Sequence, residues 1–278
     1  MHGNPLVVPT LGLSVAFFFF GLFSYRRTSS VEVRALLLLP AILLAVPGSL
    51  FVLYYTHLFD GAAWFYWFRA LPFTELTASG SGFAAGIFHA WHEPDTWGKK
   101  LLAPCALTVL VFIPFVKSIL DPINLSQLHD RCEGEVCLQS TFSTCGPASA
   151  ATIFKTFGRD VSEKDLARES FTSRGGTESW YLARAIRRRG FSTEFLIQPQ
   201  DQTSLPSPAI AGVVFPRGAG HFIAVLNETP NQVTLADPLK GKLVINRAEL
   251  NNYYRFTGFF LVVHPSNQKQ VAPISTNR

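Results

Sequence analysis

Charge is missing where this chain begins. From Met1 to Tyr25 there is no Lys, Arg, Asp or Glu, and Leu6–Phe23 (LVVPTLGLSVAFFFFGLF) is long enough to cross hydrocarbon. In lipid such a segment must satisfy its own backbone polar groups, which dictates a helix. A cleaved signal peptide would need a basic start and a small-residue cleavage site, and neither is present. Ala35–Tyr55 is a second span of this kind. Leu101–Val116 is a third, with Lys117 placed to snorkel at its end. The composition agrees: 48% of the 278 residues are hydrophobic and 15% charged, too apolar for an ordinary soluble domain. The 25 Phe beside a single Met suit lipid-facing helices.

Two segments lie between the second and third spans. Gly61–Phe73 is aromatic and carries Arg69, which suits a helix lying at the interface. Leu76–Trp91 is uncharged and rich in small residues, and reads either as a short, closely packed span or as a re-entrant or interfacial segment. The choice decides topology. Arg26, Arg27 and Arg34 mark the first loop as cytoplasmic. If Leu76–Trp91 crosses, Lys99 and Lys100 fall on the same side and everything after the last span lies outside. If it does not cross, the rest of the chain is cytosolic. The positive-inside count favours four spans and an extracytoplasmic domain.

The net charge of +5 comes from scattered basic residues and carries no nucleic-acid signature. The one dense run, Arg184 with Arg187, Arg188 and Arg189, reads as the solvated C-terminal end of a helix. Four cysteines are too few for a disulfide scaffold. Cys105 sits in an apolar run as inert packing. Cys132 and Cys137 are spaced to close a small disulfide loop, which would persist only outside the cytoplasm. They do not make a zinc site, because no second Cys/His pair follows.

After Leu120 the composition turns globular, and residues 121–264 suffice for one domain with its own core. A helix is expected from near Gly146 to Phe157, with Pro147 in its first turn. A second follows Ser162 as cap, and a third is capped by Thr177 and closed by Gly190. Strand patterns follow at Phe191–Ile197, Ala209–Phe215, His221–Asn227, Gln232–Asp237, Lys242–Ile245 and Gly258–His264. Helices followed by antiparallel strands define an α+β domain. The polar tail, 265–278, is expected to be disordered.

The stretch CLQSTFSTCGPASAATIF (Cys137–Phe154) places a thiol at a helix N-terminus, where unpaired N–H groups and the helix dipole favour thiolate. His221 opens a strand after RGAG, and Asp237 ends the next one. Adjacent strands would bring both to one sheet edge, with Asp237 orienting the ring. Gln139 precedes the helix and can donate its amide to a developing oxyanion, together with the Cys145 backbone N–H. Each piece alone has a plain structural reading: a packed cysteine, a core histidine, a turn-forming Asp before Pro.

At QSTFSTCGPA, GHFIAV and ADP the chain resembles the C39 cysteine peptidases, a papain-like group. Its best-known members are the N-terminal domains of bacteriocin-exporting ABC transporters, which cleave leader peptides after Gly-Gly. The resemblance covers roughly Cys137 to His264. It implies Cys145 as nucleophile, His221 as general base and acid, Asp237 as orienting partner and Gln139 in the oxyanion hole. Thr144 departs from the family's usual Asp, and the chain has no G-x-x-x-x-G-K-[ST] phosphate loop.

The expected whole is an α-helical transmembrane anchor of 3–4 spans (1–120; spans about 6–23, 35–55, 101–120 and, in the four-span reading, 76–91). It is followed by an α+β papain-like peptidase domain at 121–264. The expected function is a membrane-anchored cysteine peptidase in the cell's inner membrane that needs no metal or organic cofactor. Its partners would be a peptide or protein substrate such as a leader peptide, membrane lipid and a separate exporter, and not nucleic acid. Two readings rival it: a thiol amide hydrolase or transpeptidase on the same residues, and a silent membrane-tethered peptide-binding module.

Overall fold

The computed structural model describes residues 3–92, 97–199, 204–215 and 218–265. The chain divides into two compact units. One comprises Met1–Asn124 with Phe171–Gly175, the other Leu125–Ser170 with Gly176–Arg278.

The first unit is helical: α1 (Val7–Arg27), α2 (Val31–Tyr54), α3 (Ala63–Ala70), α4 (Ser81–His92), α5 (Trp97–Phe112) and α6 (Val116–Leu120). Val7–Arg27, Val31–Tyr54 and Lys100–Leu120 are long and apolar enough to cross a membrane. Their large apolar side chains point outward. Phe19, Leu36, Leu39 and Ile42 are more than half exposed, while Thr10, Ser14 and Gly21 are buried. The interior is closed by small residues. A Cβ on Gly86 would lie 2.1 Å from the Phe18 carbonyl oxygen, and one on Gly82 2.2 Å from that of Ser14. Helices α1 and α4 therefore meet backbone to backbone.

Leu76–Trp91 forms a 3-10 segment, Thr74–Gly80, running into α4. By their rises the two together span about 32 Å, close to a hydrocarbon thickness of about 30 Å. Two expectations change here. Arg69 does not lie at a wet interface but is buried in this unit, its guanidinium 4.1 Å from the Phe51 ring centre. A cation over an aromatic face is stabilised by the ring quadrupole, which helps the apolar interior to accept it. Cys105 is exposed on α5 rather than packed.

The second unit begins with a short hairpin, β1 (Cys132–Glu133) and β2 (Val136–Cys137), bridged by a Cys132–Cys137 disulfide. Helices α7 (Cys145–Thr156), α8 (Glu163–Glu169) and α9 (Ser179–Arg188) follow. Then come β3 (Phe191–Ile197), β4 (Ala209–Val214), β5 (Gly220–Glu228), β6 (Gln232–Asp237), β7 (Gly241–Asn246), the turn α10 (Leu250–Tyr253) and β8 (Arg255–Pro265). The long strands make one antiparallel sheet of order β3-β8-β4-β5-β6-β7. Ala209, Ile210, Ala211 and Val213 are all buried, as an interior strand with both faces covered requires.

Helix α7 is buried over Cys145–Phe154 and packs on β5 through small residues. Ser149 Oγ donates to the Phe222 carbonyl at 3.2 Å, tying the helix to the strand that carries His221. Ser162 caps α8 as expected, accepting from Asp165 N at 2.9 Å. The cap of α9 is Glu178, not Thr177, whose hydroxyl instead donates to the Ser143 carbonyl. The arginine run is only partly solvated, since Arg187 and Arg189 are tied to Thr193 and Glu169. Pro265 ends β8, and the rest of the expected tail lies outside the described residues.

Candidate active site

The four expected residues come from three places in the second unit. Cys145 is the first residue of α7, Gln139 lies six residues earlier, and His221 and Asp237 lie at neighbouring ends of β5 and β6. These two strands are interior to the sheet, so the site sits at the strand ends rather than on an edge strand.

His221 and Asp237 are 5% and 0% exposed, so their mutual contact is shielded from water. His221 Nε2 lies 2.9 Å from Asp237 Oδ1. Its second hydrogen-bonding interaction is with the Cys145 side chain. With Nε2 engaged by Asp237, Nδ1 is the ring nitrogen that remains for another partner. Burial alone would lower the imidazole's pKa. The hydrogen bonds and charges of Asp237 and Cys145 outweigh it and raise His221 from 6.5 to about 9. Burial likewise pushes the Asp237 carboxyl up. The donors His221, Tyr254 and the Leu239 N–H win, holding it below the usual carboxylate range. Phe215 stacks on the imidazole, its ring centre 4.9 Å away.

The start of α7 has no side-chain cap. Thr144, standing where the family usually has Asp, turns its hydroxyl back to the Thr141 carbonyl and amide instead. Gly146 follows Cys145 because a Cβ there would press on Leu182, Phe222 and Thr177 at 3.2–3.5 Å.

Gln139 is held beside the Asp237–Pro238 turn by its own N–H, which donates to the Pro238 carbonyl at 3.0 Å. Its Nε2 donates to the Thr141 carbonyl at 2.8 Å, using one of two amide protons and leaving the other. The next residue is anchored by Glu163, buried at the start of α8, which accepts from Ser140 N and Oγ at 2.8 and 2.5 Å. Cys137 N donates to Thr152 Oγ1, joining the disulfide hairpin to α7.

Sequence reasoning missed Glu163, Phe215 and Tyr254. Only Tyr254 carried any local signal, as an aromatic just ahead of the last strand. His129 and His264 are exposed, as are the ends that carry them. Among the described residues no His/Cys/Asp/Glu group is arranged to hold a metal.

The thiol at the uncapped helix start and the imidazole held by a buried carboxylate belong to the same helix-and-sheet unit. The model of the peptidase C39 family matches residues 134–268. An uncharacterized protein of Methanothermobacter marburgensis is 34% identical over 125 residues, 45% of this chain and 84% of that one. The lactococcin-G-processing and transport ATP-binding protein LagD of Lactococcus lactis is 25% identical over 135 residues, 47% of this chain but 19% of LagD. Similar solved structures include the peptidase domain of Streptococcus ComA, a bifunctional ABC transporter involved in a quorum sensing pathway. It is 22% identical, covering 50% of this chain and 98% of that one, with a TM-score of 0.39. A double glycine motif protease from an AMS/PCAT transporter, solved with a leader peptide, is 22% identical, covering 52% and 99%, with a TM-score of 0.41. The chain belongs to the peptidase C39 family.

Proposed function

We propose that the chain is a membrane-anchored peptidase in which Cys145 is the nucleophile, His221 the general base and acid, Asp237 its orienting partner and Gln139 an oxyanion donor. The observation that carries this reading is the buried row from Asp237 Oδ1 through His221 to Cys145, with 2.9 Å between the carboxylate and the ring. An imidazole raised to about 9 is charged at neutral pH, and a thiolate beside it is the attacking species.

The thiolate adds to a peptide carbonyl carbon, and the negative charge moves to the carbonyl oxygen. The Cys145 N–H and the second amide proton of Gln139 are the donors for that oxygen. His221 Nδ1 then gives its proton to the leaving amine as the C–N bond breaks, leaving a thioester. The neutral ring takes a proton from water, hydroxide adds to the thioester, and the acid product leaves as carboxylate, its proton passing to the released amine, so that the thiolate–imidazolium pair is restored. The cycle as written draws on no cofactor. The substrate class is a peptide or protein, with a leader peptide cut after Gly-Gly the first candidate.

We infer that the peptidase unit faces away from the cytoplasm. Along α4 the contacts with α2 run backwards, from Ser81 at Gly48 to Ile87 at Ala41, so α4 is antiparallel to α2 and parallel to α1. Its His92 end therefore lies at the end of the bundle marked by Arg26 and Arg27, and the basic residues gather on one side. The Cys132–Cys137 disulfide supports an oxidising location.

The test is hydrolysis of Gly-Gly-containing leader peptides by the full chain and by Cys145→Ala. The variant is expected to fold and to lose several orders of magnitude in rate. Retention of more than about a tenth of the activity would remove Cys145 from the reaction. Peptide binding without cleavage by the wild type would mark a binding module, and transfer to an added amine a transpeptidase. A reporter after Arg278 active only in the cytoplasm would reverse the topology.

A further inference from the structure

Asp237 carries more contacts than orienting one imidazole requires. Its Oδ1 accepts from His221 Nε2 and from the Leu239 N–H, each at 2.9 Å. Its Oδ2 accepts from the Tyr254 hydroxyl at 2.5 Å. The charged and titratable groups around this carboxylate are His221 from β5, Tyr254 just ahead of β8 and Lys240 from its own turn, 3.9 Å from Oδ2. Cys145 of α7 reaches it only through His221. Tyr254 is 5% exposed, and its N–H donates to the Leu250 carbonyl, so α10 fixes where the ring stands. The Lys240 ammonium caps that ring 4.8 Å from its centre.

We propose that Tyr254 is a positioning residue for the reaction: its hydroxyl clamps Asp237 Oδ2, so that Oδ1 stays aimed at His221 Nε2 and the imidazole stays turned toward Cys145. This rests on the peptidase reading above and adds a fifth residue to it.

Two physical points support the clamp. A carboxylate with only one oxygen fixed can rotate about its Cβ–Cγ bond, and rotation breaks the line to the ring. Fixing both oxygens by donors from two separate segments removes that freedom. The phenol is also a dependable donor. Burial, then the hydrogen bond to Asp237 and that carboxylate's charge, push its pKa well above the ordinary tyrosine value, so the proton stays on the oxygen across the working range.

The experiment follows the rate of Cys145 alkylation by iodoacetamide between pH 6 and 10, read by mass spectrometry. It uses the detergent-solubilised full chain carrying Cys105→Ser, so that Cys145 is the one free thiol. With Tyr254→Phe the carboxylate is freed on one side and His221 loses part of its support. Alkylation at pH 7 should slow severalfold, because the imidazolium is no longer held in place to keep the thiol as thiolate, while the rates converge at pH 10, where a thiolate forms without that help. A merely structural tyrosine would not give a deficit that vanishes with pH. In an Asp237→Asn background, which should show the same pH-dependent slowing by itself, Tyr254→Phe should add nothing, because it acts through that carboxylate. Fast wild-type alkylation with an unchanged Tyr254→Phe profile overturns this inference alone. So does a full additional loss in the Asp237→Asn background. Wild-type alkylation at pH 7 no faster than that of free cysteine overturns the peptidase reading and the Tyr254 role with it.

Discussion

The two units of this chain use apolar residues in opposite ways. In the first, Leu36, Leu39 and Ile42 face outward while Thr10, Ser14 and Ser81 are inside. In the second, Leu182, Ile186 and Ile210 are inside, and among its described residues the large apolar side chains left exposed include Phe142 and Leu239, both near the site. The difference is one of solvent. Lipid gives an apolar side chain no reason to leave it, so the first unit closes by backbone approach at Gly82 and Gly86. Water drives the second to bury its apolar atoms, and the polar groups it buries must be hydrogen-bonded. His221 and Asp237 obey that rule, and the same bonds that satisfy them set up the chemistry.

The comparison breaks first at the site. His221→Ala, read by leader-peptide hydrolysis, is expected to cost several orders of magnitude in kcat with the fold intact. Wild-type turnover would mean that the buried polar row is only structural. Next comes stability. Leu182→Ala should cost about 2–5 kcal/mol by denaturant unfolding, whereas Leu39→Ala on the lipid-facing side should cost less than about 0.5 kcal/mol. Equal losses would refute the inside-out description. Gln139→Ala should lower turnover roughly a hundredfold with little change in KM, the cost of one oxyanion donor.

A smaller effect is pH-dependent. The folded pKa of His221, about 9, lies above its ordinary 6.5. The stability drawn from its pairing is therefore fully present below about pH 6.5 and lost as pH rises through 9. The gap in melting temperature between wild type and Asp237→Asn should be widest near pH 6 and shrink by pH 10. The smallest effect concerns Phe142, 93% exposed three residues before Cys145. Phe142→Ala should leave stability unchanged and raise KM a few-fold, and a loss of stability instead would place it in the core.

Much of this was legible in the sequence because it rests on local signals. A Cys ahead of Gly-Pro and a run of small residues marks a helix start, and consecutive alternating runs mark β5 and β6, which carry His221 and Asp237 together. What stayed hidden depends on distant pairing. Strand β8 enters the sheet between β3 and β4, and only that insertion brings Tyr254 onto Asp237. Nothing local marks Glu163 in the sequence, yet its carboxylate is spent on Ser140. Arg69 read as interfacial because sequence cannot show that Phe51 offers it a face. Thr177 looked like a cap until packing against Ser143 claimed its hydroxyl.

The central claim is that acyl transfer passes through Cys145, and an acid-quench experiment reads it directly. Full-length Cys105→Ser protein is mixed with a Gly-Gly leader peptide, stopped in acid during turnover and weighed intact. The account predicts a protein species heavier by the N-terminal peptide fragment, with the added mass on the segment carrying Cys145 and absent from Cys145→Ala. Hydrolysis that proceeds in Cys145→Ala, or an adduct carried on any other residue, would contradict it.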